Sequence, residues 1–167
     1  MRALIAGLVT ASCLSACAPA PADPPSEATA SSMELDQLDL RDGGGVYKST
    51  RNGVTVEVPF AIDISKIDPA RRHDSERIGQ TDDGVIVLLD RYASKASPDG
   101  RCANGIESYV RAFSLQERKE VFVALAESCL SGKAGPDAEV AWEAPSGFRV
   151  GEQRYAVQAQ KVVPLAT

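Results

Sequence analysis

Arg51-Asn52-Gly53-Val54-Thr55-Val56-Glu57-Val58 decides the fold class. Val54, Val56 and Val58 alternate with Thr55 and Glu57, the period of two that sets one face of a strand against a core. Asn52-Gly53 directly before it is the dipeptide that closes tight β-hairpins, because both positions accept positive φ. The partner strand is then residues 46–49. A β-hairpin is thus predicted at the start of the domain.

The same grammar continues in both directions. Asp82-Asp83-Gly84 is a turn leading into Val85-Ile86-Val87-Leu88-Leu89, an uninterrupted apolar run that reads as a buried strand. Residues 106–113 alternate again after the turn-rich Ser97-Pro98-Asp99-Gly100. Residues 121–130 fit two templates. Val121, Val123 and Leu125 suit a strand, whereas Phe122, Leu125, Ala126 and Cys129 suit one helix face; hairpin-like spacing favours the strand. Val140-Ala141-Trp142 and Phe148-Arg149-Val150 flank Ala144-Pro145-Ser146-Gly147 as a further hairpin, and residues 155–159 close the sheet. Short strands separated by Gly, Pro and Asp turns predict an all-β fold, an antiparallel sandwich or small barrel.

The N-terminus is of another kind. Met1-Arg2 precedes an uncharged Ala-, Leu-, Ile- and Val-rich run, residues 3–14, too short to span a bilayer and proportioned like a signal-peptide core. It ends in Leu14-Ser15-Ala16-Cys17, which resembles the lipobox of bacterial lipoproteins. The resemblance implies a signal peptide over residues 1–16, diacylglycerol on the Cys17 sulfur and acylation of its amine. An ordinary secretory signal cut at Ala18 or Ala20 is the other reading; motif, position and upstream run together favour the lipobox. Cys13 is the poorer acceptor, with Thr10 three residues before it. At about 0.8 kcal/mol per buried methylene, several acyl chains hold a protein to a membrane. Ala18 after the cysteine, by resemblance to lipoproteins of two-membrane bacteria, directs the chain to the outer membrane, facing the periplasm.

Residues 18–32 read APAPADPPSEATASS, with no large apolar side chain to offset the entropy of ordering. A flexible lipidated tether is therefore expected over residues 17–42, with Met33 to Leu40 supplying a helical turn or two before Gly43-Gly44-Gly45. Fully flexible, about 25 residues give an r.m.s. reach of roughly 25–30 Å. The folded domain is expected over residues 43–167.

Cysteine usage follows from that address. Cys13 leaves with the signal and Cys17 takes the lipid, so Cys102 and Cys129 remain, and two thiols in an oxidising compartment pair. A closed loop of about 27 residues stabilises by roughly 3–4 kcal/mol in the chain-entropy picture. A reactive or metal-holding pair is the alternative, but there is no CxxC spacing and the chain has a single histidine.

The 167 residues include 18 Lys+Arg and 23 Asp+Glu, a net charge of −5, with 44% hydrophobic and 5% aromatic residues. An acidic balance with few aromatics and no basic tract speaks against nucleic acid as a partner. Loss of Arg2 with the signal leaves 17 basic against 23 acidic residues, or −6. Such a charge speeds association with basic proteins more than it tightens the complex.

Motifs for chemistry are sparse. Arg71-Arg72-His73-Asp74-Ser75-Glu76-Arg77 reads as a solvated, charged loop; adjacency of His, Asp and Ser does not make a triad, and no GxSxG elbow exists. Glu107 and Asp83 are available carboxylates that no motif singles out. Thr81-Asp82-Asp83-Gly84 lacks calcium-loop spacing, and Gly43-Gly44-Gly45 lacks the lysine of a phosphate loop. No catalytic residue, metal site or cofactor is expected.

Arg101-Cys102-Ala103-Asn104-Gly105-Ile106-Glu107-Ser108-Tyr109-Val110-Arg111, then Ser128-Cys129-Leu130, then the Trp142 and Phe148 hairpin, has the most character. This order resembles small envelope lipoproteins of gammaproteobacteria that inhibit peptidoglycan-cleaving enzymes, among them immunity lipoproteins against lysozyme-like toxins. The likeness covers residues 100–150 and the lipobox. It implies a β-rich periplasmic domain that plugs an enzyme cleft with an exposed loop. Ser146, Gly147, Phe148 and Arg149 match such a loop in residue type, with the arginine and hydroxyl facing catalytic carboxylates. The plainer reading of the four is a hairpin turn, with Gly147 at positive φ, Phe148 in the core and Arg149 solvated. A structural or assembly lipoprotein without inhibitory activity is the second functional reading.

Overall fold

Alternation along two adjacent strands builds this molecule from its middle outward. The computed structural model describes residues 35–41, 43–71, 74–132 and 139–166. Eleven strands and, among those residues, no helix make up the domain: β1 (Leu35–Arg41), β2 (Gly44–Arg51), β3 (Val54–Ala61), β4 (Asp74–Gln80), β5 (Val85–Ala93), β6 (Ile106–Ser114), β7 (Lys119–Ser128), β8 (Val140–Glu143), β9 (Gly147–Val150), β10 (Gln153–Gln158) and β11 (Lys161–Pro164). They form three antiparallel sheets, β1-β2-β3, β4-β5-β6-β7 and β11-β10-β9-β8.

The four-stranded β4–β7 sheet is the middle layer. On β5, Ile86, Leu88 and Tyr92 pack with Leu38, Tyr47, Val58 and Phe60 of the first sheet. The alternate residues Val85, Val87 and Leu89 pack with Phe148 and Val157 of the third. β6 divides likewise: Phe113 belongs to the first cluster, Val110 and Ala112 to the second. Both faces of the middle sheet are covered, so the run Val85-Ile86-Val87-Leu88-Leu89 has no polar alternate. The all-β fold, the strand character of residues 121–128 within the 121–130 segment and the antiparallel, sandwich-like layering agree with the sequence reading, while Cys129 and Leu130 already belong to the turn that follows. The described residues form no closed barrel, and the layers number three.

The opening hairpin follows its dipeptide. Arg51 pairs with Val54 across Asn52 at φ 51° and Gly53 at φ 77°, the left-handed pair that matches strand twist. Val58 and Phe60 turn inward, while Val54, at the hairpin tip, is 65% exposed.

Three expectations are corrected. Residues 35–41, assigned to the tether with a helical turn, are strand β1, paired from Leu35↔Thr50 to Arg41↔Gly44. Leu38 is buried, and the neighbouring Asp36 accepts hydrogen bonds from Tyr47 Oη (2.7 Å) and Arg77 Nε (2.7 Å). The charged loop at Arg71–Arg77 is strand β4 from Asp74 onward, an edge strand whose charges discourage pairing with other chains. Residues 155–159 do not end the sheet, because Ala159 and Gln160, at φ 49° and 64°, turn the chain into β11. Cys17, the signal segment and His73 lie outside the described residues.

Candidate functional site

In the hairpin singled out for partner contact, Phe148 is a packing residue, while Ser146, Gly147 and Arg149 stay partly exposed. β8 and β9 pair from Val140↔Val150 to Glu143↔Gly147. Phe148 is fully buried, stacked on Tyr155 at 5.1 Å and edge-on to Phe122 at 5.5 Å. Arg149 forms an ion pair with Glu139, and the Ser146 carbonyl accepts from Val157 N–H at 2.7 Å. Gly147 serves close approach, not positive φ: a Cβ there would sit 2.9 Å from the Tyr155 carbonyl oxygen. The four residues adjoin in space as in sequence, and Phe148 is unavailable to any partner.

Cys102 and Cys129 are bonded, with Cα atoms 5.7 Å apart, joining the entry of β6 to the exit of β7, where Glu107 pairs with Ser128. Gly105 lies on the bridge; a Cβ there would meet Cys129 Cβ at 2.6 Å and Sγ at 2.7 Å. The cystine therefore fixes the 97–105 loop against the end of β7. Glu107 lies beneath it, fully buried. Its Oε1 accepts from Ser94 Oγ (2.8 Å) and Leu130 N–H (3.1 Å), while Oε2 meets no hydrogen-bond partner among the described residues. Sequence reading named Glu107 without a role; this places it as the tie between the cystine loops and β6.

A second buried charged group lies between the middle sheet and β3. Arg111 donates through Nε to Asp90 Oδ2 (3.2 Å), and through Nη1 to the Ala61 carbonyl (3.1 Å) and to Glu120. Its guanidinium also rests over the Phe60 ring at 4.6 Å and the Tyr109 ring at 5.2 Å. Tyr92 donates to Asp90, and burial, with that carboxylate's charge second, holds the Tyr92 phenol well above its ordinary value. Burial likewise raises the Glu120 carboxyl despite the adjacent Arg111. With Arg111 only 1% and Asp90 0% exposed, this group organises the interior and cannot touch a substrate.

Solvent reaches the cystine end along three grooves. The largest, about 380 Å³, is lined by Arg71, Asp74, Arg91, Ala93, Asn104 and Ile106, among others. Asn104, Gly105 and Ile106 form a ridge between it and a second groove of about 320 Å³ that reaches Ser128, Cys129 and Gly132. A third, about 350 Å³, runs along the cystine past Arg101 and Leu130. Ile106 stands on the ridge, 42% exposed. No pattern in the sequence marked this groove system, because β4 contributes one wall and had been read as a loop.

Scans against protein-family models, curated proteins and solved structures found no match to the chain.

Proposed function

We propose that the chain is a lipid-anchored envelope protein of the outer membrane, facing the periplasm, that acts by gripping another protein and inhibits, or gives immunity to, a lysozyme-like peptidoglycan hydrolase. The observation that carries this reading is the cystine end. Three grooves and a ridge carrying the exposed Ile106 converge there on loops tied by Cys102–Cys129 and by the Glu107 hydrogen bonds. Loops fixed before binding lose little freedom when a partner closes on them, which favours a gripping surface over an adaptable one. The Leu14-Ser15-Ala16-Cys17 motif supports the anchor on the far side of the inner bilayer. With Phe148 in the core, the gripping surface is assigned to the cystine end instead of the Ser146–Arg149 hairpin.

The test is a titration of a lysozyme-type hydrolase, or of a toxin encoded beside this chain, with the purified protein. Turnover falling in proportion and ceasing at one equivalent supports the reading. Unchanged turnover, with the chain co-sedimenting with envelope components, replaces it by an assembly role. Mass spectrometry of the mature N-terminus reads the anchor: an unacylated Cys17 removes it.

A further inference from the structure

The groove of about 380 Å³ carries one arginine that no described carboxylate pairs. Of its three charged lining residues, Asp74 and Arg91 answer each other: Arg91 Nη1 lies 3.3 Å from Asp74 Oδ2, and Nη2 lies 3.0 Å from Glu76 Oε2. Arg71 is different. Its Nη1 donates to the Ala103 carbonyl at 2.6 Å, which ties the exposed guanidinium to the 97–105 loop. A neutral carbonyl leaves the charge uncompensated, and among the described residues no carboxylate forms an ion pair with Arg71. The lining also includes the apolar Ala93 and Ile106 and the polar Asn104.

We infer that this groove is a binding site for a carboxylate on a short apolar stem, the C-terminal end of a small peptide. A planar guanidinium fixed at one nitrogen still offers a fork that matches a carboxylate with two parallel hydrogen bonds. A methyl or similar side chain next to that carboxylate covers Ile106 and Ala93. The volume, about 380 Å³, lies at the small end of ligand sites and suits two or three residues, not a folded surface. The inference does not depend on hydrolase inhibition, so either can fail without the other.

The experiment uses the full chain, labelled with ¹⁵N, and N-acetyl-alanyl-alanine as probe, with its C-terminal amide and plain acetate as comparison arms. Saturable shifts of the Ala93, Asn104 and Gly105 amide signals are expected with the free acid. The amide is expected to bind at least about tenfold more weakly, the loss of one charge-assisted contact, and acetate more weakly than the dipeptide. Arg71→Ala is expected to abolish the shifts while signals elsewhere in the sheets stay in place, and Arg71→Lys to restore them in part. Equal shifts from acid and amide, no shifts at all, or shifts that survive Arg71→Ala in a chain whose other signals are unchanged would each overturn the site. Acetate equalling the dipeptide overturns the apolar stem.

Discussion

The two faces of the middle sheet are made by alternate residues of the same strands, yet they are held by different physics. Toward the third sheet the interface is apolar and aromatic, with Phe148, Tyr155 and Phe122 in mutual contact and Trp142 laid across Gly79. Toward the first sheet a similar aromatic group, Tyr47, Phe60 and Phe113, gives way at one end to the buried Asp90 and Arg111 and the partly buried Glu120. An apolar face loses stability in proportion to the volume removed. An ionic face loses little when all its charges go, and much when one is left alone.

That contrast can be broken from either side. Phe148→Ala should cost about 3–5 kcal/mol in urea or thermal unfolding, since it empties the third-sheet interface. Arg111→Ala should cost a similar ~3–5 kcal/mol for another reason, removing the cation that donates to the Asp90 and Glu120 carboxylates. The two separate in a second round: Glu120→Gln added to Arg111→Ala should recover part of the loss, whereas no polar change rescues Phe148→Ala. Reduction of Cys102–Cys129 should lower stability by about 3–4 kcal/mol and broaden the amide signals of the 97–105 loop before those of β5. Gly79→Ala should cost about 1–3 kcal/mol, because its methyl group would strike the Trp142 ring; a smaller Trp142→Phe partner should relieve it.

The smallest effect concerns pH. Burial raises the Glu120 carboxyl above its ordinary 4.5 in the folded state. A group with a raised folded-state pKa stabilises the fold below its unfolded value, and that contribution is lost as pH rises through the folded value. Stability of the native protein relative to Glu120→Gln should therefore decline as pH climbs from 4.5 through the raised value. Unfolding midpoints of the two proteins measured across that range provide the check.

Legibility in the sequence tracked how local each cause is. Asn52-Gly53 fixes two backbone conformations by itself, so the first hairpin could be read directly, and its register, Arg51 opposite Val54, follows from that turn. The cysteines could be paired by count and compartment, and Val85–Leu89 by hydropathy alone. β1 was hidden because Asp36 stands on the same strand face as Leu38, and it is Tyr47 and Arg77, distant in sequence, that hydrogen-bond it there. β4 was hidden because an edge strand leaves most of its charges toward solvent, and its packing signals, Ile78 and Gly79 under Trp142, are made with another sheet. Ala159-Gln160 carries no common turn signature, so β11 went unread. The groove is assembled from β4, β5, the cystine loop and Arg71, and no single stretch of sequence displays it.

Hydrogen exchange on the chain alone and with a lysozyme-type hydrolase tests most directly the proposal that the cystine end grips such an enzyme. Slower exchange confined to Asn104, Gly105, Ile106 and the Cys129–Gly132 turn, with the β8–β9 hairpin unchanged, is the predicted result. Protection centred on Ser146 to Arg149, or none anywhere at saturating enzyme, would contradict it.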